Sequence, residues 1–159
     1  MDLSKEILKD MALDAVTPKH RDRGPTDHWA QHILLERAAY LRKMARASNG
    51  SASEALHEYP RHTAMLSFRS RSGEVEVHEK FADLFCVLAG SATLVTGGKV
   101  MGARTVGPGE TRGDAIEGGA GQELKPGDIA HVPAGTPHQM MLFGDKTVTC
   151  FVLKVQEED

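Results

Sequence analysis

From Thr63 onward, apolar and polar residues alternate with a period of two, which is the spacing of a half-buried β-strand. Short segments of this kind recur as far as residue 155 and are separated by turns rich in glycine and proline. They predict eight strands, at residues 63–69, 73–79, 83–89, 91–96, 122–125, 128–132, 138–143 and 147–155. Eight short strands in this order are typical of a β-barrel or a β-sandwich. This part of the chain is therefore expected to be mainly β.

The N-terminal part has a different pattern, with apolar residues at steps of three and four. A first short helix is predicted to begin at Ser4 and to stop before Pro18. A second, longer helix is expected to be capped by Thr26 or Asp27 and to end at Gly50. We therefore predict a helical N-terminal extension over residues 1–50 and a β-barrel domain over residues 51–159.

Length and charge limit the possible functions. A chain of 159 residues has the usual size of a single domain with one substantial core. Its formal net charge is -3, and acidic and basic residues are mixed along it, so it offers no basic stripe for a phosphate backbone. Nucleic acid is therefore not an expected partner. No apolar run approaches 18 residues and no signal-peptide layout is present, so we expect a cytoplasmic protein with no membrane contact.

Two segments bounded by glycines hold residues with ligand chemistry. Residues 127–138, GDIAHVPAGTPH, place a short apolar strand, a stiff proline and glycine turn and then His138. Residues 73–90, GEVEVHEKFADLFCVLAG, hold His78, Lys80 and Asp83 in a strand-rich sequence. The backbone around such a turn is preset, which holds a histidine in one place.

These two segments resemble the two motifs of the cupin superfamily, which are small antiparallel β-barrels of the jelly-roll type. In that family the second motif carries a glycine, a Pro-x-Gly and a histidine. Gly127, Pro133, Gly135 and His138 match it throughout. The resemblance implies a mainly β, single-domain cupin with a jelly-roll β-barrel and an α-helical N-terminal extension.

The first cupin motif carries two histidines one residue apart, then an acid that is followed six residues later by a glycine. Counting back from Gly90 places Asp83 at the acid. His78 then fits the first histidine and Lys80 stands at the second, although the spacing from Lys80 to the acid is short. A register kept rigid from Asp83 instead puts the two neighbours of His78 at the histidine positions and turns His78 away. Both registers leave a usual ligand missing.

The resemblance implies a divalent transition metal (iron, manganese, nickel or zinc) held by His78, Asp83 and His138. Two imidazoles and a carboxylate form a mixed ligand set that leaves positions open for a small-molecule substrate. An enzyme of this kind would act on a polar, oxygen-rich compound as an isomerase, dioxygenase or lyase, and the fold does not choose among these reactions. Alternatively, His138 only closes its turn by hydrogen bonding, and His78 is purely structural.

Lys80 and His131 are the candidate catalytic residues. A protonated Lys80 would pair with Asp83 and give a metal-free pocket, a neutral one would serve as a base or nucleophile, and a solvated one would do neither. His131 would be a general acid and base, or a fourth ligand, if it faces the cavity, and a surface residue if it does not.

Two further features concern the surroundings of the barrel. Residues 97–121 are too long for a hairpin turn and are interpreted as a lid, a plain surface loop or an added hairpin. The strand at 83–89 is apolar on both faces beyond its acid, so its outer face needs cover from the N-terminal helices or from a second subunit. Because homodimers are common among cupins, a homodimer is predicted.

Two other functional classes stay open. One is a metal-free, non-catalytic cupin that binds or senses a ligand. The other is a structural protein with a collapsed apolar barrel, which would be indicated by Phe85, Val87 and Met140 facing a filled interior. Whether the protein is an enzyme is therefore left undecided by the sequence.

Overall fold

The computed structural model describes residues 26 to 157, in which one helix precedes thirteen strands. The helix is α1 (Gln31–Arg46). The strands are β1 (Ser51–Glu58), β2 (His62–Arg69), β3 (Val75–His78), β4 (Phe81–Gly90), β5 (Ala92–Thr96), β6 (Lys99–Met101), β7 (Arg104–Gly107), β8 (Glu110–Gly113), β9 (Ala115–Glu117), β10 (Ala120–Leu124), β11 (Ile129–Val132), β12 (His138–Met141) and β13 (Val148–Gln156).

The strands form two main antiparallel sheets with a shared core. One sheet has the order β1-β2-β13-β4-β11 and the other the order β10-β5-β12-β3-β8-β7, while β6 and β9 form a separate pair. Buried apolar residues from both main sheets pack together, among them Val87 and Val132 from the first and Leu94 and Met140 from the second. Two sheets with one core between them make the predicted jelly-roll barrel, and the mainly β fold with a preceding helix is confirmed.

Helix α1 packs on the outside of the five-stranded sheet. Its buried residues recur at steps of three and four and contact β2 residues such as Leu66 and Phe68; they are Leu34, Ala38, Leu41 and Ala45. With 16 residues and a mixed composition, α1 is too short and too polar to cross a bilayer, and residues 26 to 157 contain no longer apolar helix.

The predicted start of this helix is wrong. The helix begins at Gln31, and its N-terminal flanking residue Ala30 makes no side-chain cap. Asp27 is engaged elsewhere, because its carboxylate accepts a hydrogen bond from the hydroxyl of Tyr59. The first predicted helix, from Ser4, lies outside the described residues. The division of the chain into an extension over residues 1–50 and a barrel over residues 51–159 stays a prediction.

Residues 97–121 are not one long loop. They form β6, β7, β8 and β9 and the start of β10, so the alternative of an added hairpin comes closest. Glycines with positive φ make the tight turns between these short strands, for example Gly98 and Gly109. Strand β8 pairs with β3 over four residues, which makes this segment part of the barrel wall. Strand β1 was not predicted, because only Leu56 of its eight residues is buried and no alternating pattern results.

Strand β4 carries apolar residues on its outer face, as predicted, and α1 covers that face only in part. Leu84, Cys86 and Leu88 are half-buried, and a groove of about 240 Å³ lies beside the helix, lined by Trp29, Gln31, Leu34, Cys86, Leu88 and Phe151. The next strand continues the apolar surface with Ile129, which is 67% exposed and directly opposite Cys86. The predicted homodimer would cover this surface.

Sedimentation analysis tests the dimer. We expect the wild type to sediment as a dimer and Ile129→Lys as a monomer, because a charge at this position cannot be buried against a second copy. The control is Phe143→Lys, which changes a residue that is 57% exposed but lies in the turn after β12, and which should remain dimeric. A monomeric wild type at the same concentration would contradict the prediction.

The two motif glycines differ in what surrounds them, and this gives a test of the fold. Gly90 and Gly127 both have positive φ, at 75° and 91°. A Cβ at Gly90 would lie 1.9 Å from the carbonyl oxygen of Thr147, whereas nothing lies within 4 Å of one at Gly127. In urea unfolding we expect Gly127→Ala to cost about 1–2 kcal/mol from backbone strain alone. Gly90→Ala should cost at least about 4 kcal/mol, because it adds a clash with backbone. Equal losses of unfolding free energy would show that the backbone near Thr147 shifts to relieve the clash at little cost.

Candidate metal centre

Three strands bring the candidate ligands together inside one end of the barrel. Strands β3 and β12 are neighbours in the six-stranded sheet, where His138 pairs in register with Glu76. Because alternate residues of a strand share a face, Glu76 and His78 point to the same side. Strand β4 of the opposite sheet supplies Asp83. His78, Asp83 and His138 thus converge from both sheets.

The convergence is tight and closed to solvent. The side chains of His78, Asp83 and His138 are 4%, 6% and 4% exposed. One oxygen of Asp83, Oδ2, lies 3.2 Å from Nε2 of His78 and 3.2 Å from Nε2 of His138. Nevertheless, Nε2 of His138 is a buried atom without a hydrogen-bond partner among residues 26 to 157. A buried polar nitrogen without a partner calls for an explanation.

The hydrogen bonds of the two Nδ1 atoms indicate where the ring protons lie. Nδ1 of His78 lies 2.7 Å and 2.9 Å from the two carboxylate oxygens of Glu110, and Nδ1 of His138 lies 3.0 Å from the carbonyl oxygen of Thr136. Carboxylate and carbonyl oxygens only accept, so these bonds assign the proton of each ring to Nδ1. In the neutral imidazoles, both Nε2 lone pairs then face the lone pairs of Asp83. Three acceptors in contact require protons or a cation between them.

Lys154 supplies a cation on the far side of Asp83. Its Nζ lies 3.1 Å from Oδ1 of Asp83, the oxygen that the histidines do not face. Burial alone would raise the pKa of Asp83, but His138, His78 and Lys154 outweigh burial and hold this pKa far below its usual range. Burial likewise opposes the charge of His78, yet Asp83 and Glu110 raise the pKa of this imidazole in the metal-free protein. The pocket favours an ionised Asp83.

Glu76 is a fourth candidate ligand. One ligand atom each from Glu76, His78 and His138 lie within 4.8 Å of one another, an arrangement that could hold a metal ion. Glu76 and His78 are separated by one residue and face the cluster together. The register that turns His78 away is therefore wrong, and the register with Lys80 at the second histidine position places an exposed lysine there. Strand β3 ends at His78, and Lys80 already lies in the turn that follows it.

Both predicted catalytic residues are exposed. Lys80 is exposed in the turn between β3 and β4, and its carbonyl oxygen accepts a hydrogen bond from the backbone of Glu157. The side chain of His131 is 54% exposed and lies 3.9 Å from Glu157. Strand β11, which carries His131, belongs to the five-stranded sheet, whereas β12 with His138 belongs to the six-stranded sheet. The catalytic roles of Lys80 and His131 stay predictions.

The rest of the interior is apolar. Phe85, Val87 and Met140 pack in the core between the sheets, as the alternative of a structural barrel requires. The same interior, however, buries two histidines and a carboxylate at one end, which a collapsed apolar barrel would have no means to stabilise. Inside the barrel, a ligand site is therefore confined to the polar end.

This topology is that of a double-stranded β-helix, with a histidine and carboxylate cluster inside it. Among solved structures, protein TT1209 from Thermus thermophilus is 19% identical, with a TM-score of 0.51 over 73% of this chain and 93% of its own. A conserved protein with a double-stranded β-helix domain from Klebsiella pneumoniae is 19% identical, with a TM-score of 0.51 over 70% of this chain and 82% of its own. A cupin superfamily protein from Desulfitobacterium hafniense is 19% identical, with a TM-score of 0.47 over 69% of this chain and 80% of its own. No family model and no curated protein sequence matches the chain. At these identities the similarity concerns the fold.

The lowered pKa of Asp83 predicts an acid-sensitive stability. A carboxyl group whose pKa is depressed in the folded state stabilises the protein above its unfolded value of about 4. This contribution is lost as pH falls toward the folded value. In the metal-free protein, the free energy of unfolding should fall more steeply between about pH 5 and pH 3 in the wild type than in Asp83→Asn. At pH 7 the variant should be less stable by about 2–3 kcal/mol, at the low end for a broken buried pair because Lys154 still reaches water.

Urea unfolding at several pH values measures both quantities. Asp145→Asn is the control, since Asp145 is exposed and should give the wild-type profile. Parallel profiles for the wild type and Asp83→Asn would show that Asp83 is not stabilised as an anion.

Proposed function

We propose that the protein is a metal-dependent cupin that acts on a polar, oxygen-rich small molecule, in an isomerase, dioxygenase or lyase type of reaction. The metal is a divalent transition ion bound by His78, Asp83 and His138, with Glu76 beside them. The observation that carries this proposal is the contact of two imidazole Nε2 atoms with one carboxylate oxygen. When both rings are neutral, with their protons on Nδ1, all three of these atoms are acceptors.

The donor set fits such an ion. Two imidazole nitrogens with one or two carboxylate oxygens are ligands suited to iron, manganese, nickel or zinc. A cation at this point would give the orphaned Nε2 of His138 a partner and would separate the facing lone pairs. When bound, an ion of this kind supplies Lewis-acid or dioxygen chemistry to a substrate oxygen.

Residues around the ligands hold them in a binding arrangement. Glu110 and the carbonyl oxygen of Thr136 fix the tautomers that leave both Nε2 atoms as acceptors. Lys154 engages Oδ1 of Asp83 and leaves Oδ2 directed toward the imidazoles. The side chains of Glu76 and Glu110 are 28% and 31% exposed, so the cluster meets solvent at a charged rim.

Lys154 also supports the second candidate, a metal-free cupin that binds or senses a ligand. The ammonium group 3.1 Å from Asp83 neutralises part of the charge that would attract a metal. In this alternative Lys154 takes the role that the sequence assigned to Lys80. A cytoplasmic location and a homodimer remain predictions for both candidates.

Metal content distinguishes the two candidates. The untagged protein, purified without chelator and reloaded in turn with iron, manganese, nickel and zinc, should retain about one ion per chain in elemental analysis. His138→Ala should lose the ion, because it removes a nitrogen at the centre of the cluster. His32→Ala is the matched control, since His32 is exposed on α1 and should retain the ion.

Equal metal content in His138→Ala and His32→Ala would defeat the assignment of ligands. A wild type that retains no ion after reloading would favour the metal-free candidate. In that case, if the ammonium group of Lys154 is what excludes the metal, Lys154→Met should retain an ion that the wild type does not.

A further inference from the structure

Arg112 lies at the rim of the cluster with most of its donors unused. It is directly opposite Glu76 in the pairing of β8 with β3, so both side chains point to the same side of the sheet. Its side chain is only 22% exposed. Its one hydrogen bond within residues 26 to 157 runs from Nη1 to the carbonyl oxygen of Thr111, at 3.0 Å. Since a guanidinium has five N–H donors, Arg112 has donors available for a bound ligand.

The neighbouring carboxylates do not satisfy Arg112. Its Nη2 lies 3.6 Å from Glu76 and 3.9 Å from Glu110, which are distances of charge attraction rather than hydrogen bonding. The other oxygen of Glu76 lies 3.8 Å from Nε2 of His138. The carboxylate of Glu76 therefore lies between the guanidinium and the imidazole of His138.

The charge of the cluster decides which kind of ligand it accepts. Three carboxylates, those of Glu76, Asp83 and Glu110, are grouped with two cations, Arg112 and Lys154. With neutral imidazoles, the cluster carries one net negative charge and repels an anion. With a divalent ion bound, it carries one net positive charge, which a single carboxylate neutralises. Anion binding is therefore expected only after metal binding.

We propose that this site takes a small monoanionic 2-hydroxy or 2-oxo carboxylate, whose carboxylate is bound by the guanidinium of Arg112. This inference rests on the proposed metal-dependent function. A planar guanidinium matches a carboxylate with two parallel hydrogen bonds. The hydroxyl or keto oxygen on the carbon next to this carboxylate would then be available to a metal held by His78, Asp83 and His138. Phe85 and Met140 belong to the packed core, and the ring of Phe85 lies 6.2 Å from that of His138, so we expect a small ligand.

Lys154, on the other side of Asp83, contributes a second positive charge that favours an anionic ligand. Its side chain is 25% exposed, and its one hydrogen bond in the described part of the chain goes to Asp83. The ammonium therefore keeps two N–H donors available. A doubly charged phosphate would exceed the single net positive charge of the loaded cluster, so a monocarboxylate is the better match.

Glycolate and ethylene glycol are the probes, because they share a hydroxyl group and differ in the carboxylate. Titration calorimetry would use protein saturated with one divalent ion, with metal content measured for each variant. We expect Arg112→Gln to weaken glycolate binding about tenfold to a hundredfold, as for the loss of charge-assisted hydrogen bonds. Arg112→Lys should restore only part of the affinity, because it keeps the charge and loses the planar fork. Ethylene glycol binding should be weaker and unchanged by both substitutions.

Arg104→Gln is the matched control. Arg104 pairs with Arg112 across β7 and β8, but its side chain is 46% exposed and is bound to Glu74 and Asp114. Its removal should change the glycolate affinity by less than about twofold. An unchanged affinity in Arg112→Gln at full metal occupancy would overturn the anion site while leaving the metal site in place. Glycolate binding to metal-free protein as tightly as to loaded protein would overturn the metal-first order. Failure to retain any metal would contradict the proposed function itself, and the order of binding with it.

Discussion

The contact of one Asp83 oxygen with two imidazole nitrogens is the interaction on which the polar end of the barrel depends. It links β4 of one sheet with β3 and β12 of the other, inside a core that is otherwise apolar. Burying three acceptors against each other costs free energy unless a proton or a metal ion joins them. The surrounding groups, Glu110, Thr136 and Lys154, are placed as this requirement demands, since each fixes the charge or the tautomer of one member.

The fold was predictable from the sequence because the spacing of the second motif and the alternating strands describe local structure. The missed elements lack such a signal. Strand β1 buries only Leu56, and the strands within residues 97–121 have three or four residues each, too short for a period to show. Their glycines indicated turns correctly but gave no indication that four strands lie between these turns.

The site was predictable only in part, for the same reason. His78, Asp83 and His138 belong to motifs, whereas Lys154, Glu110 and Arg112 come from strands whose partners depend on the sheet order. Lys154 lies opposite Asp83 because β13 pairs with β4 across 71 positions of sequence. In the sequence alone, a lysine in an alternating strand is typical of a solvated surface. Glu76 could have been found by treating His78 as the second histidine, which removes the short spacing to the acid.

The pairing of β8 with β3 limits how far residues 97–121 can change in length during evolution. Glycine-rich segments of such length are normally where insertions and deletions accumulate, because nothing else relies on them. Here a deletion would leave β3 as an edge strand, with an open row of backbone donors and acceptors next to the buried histidines. The segment is therefore under the same restraint as the core. Its length can change only at the turns, because a shortened form would expose an aggregation-prone edge beside the buried histidines.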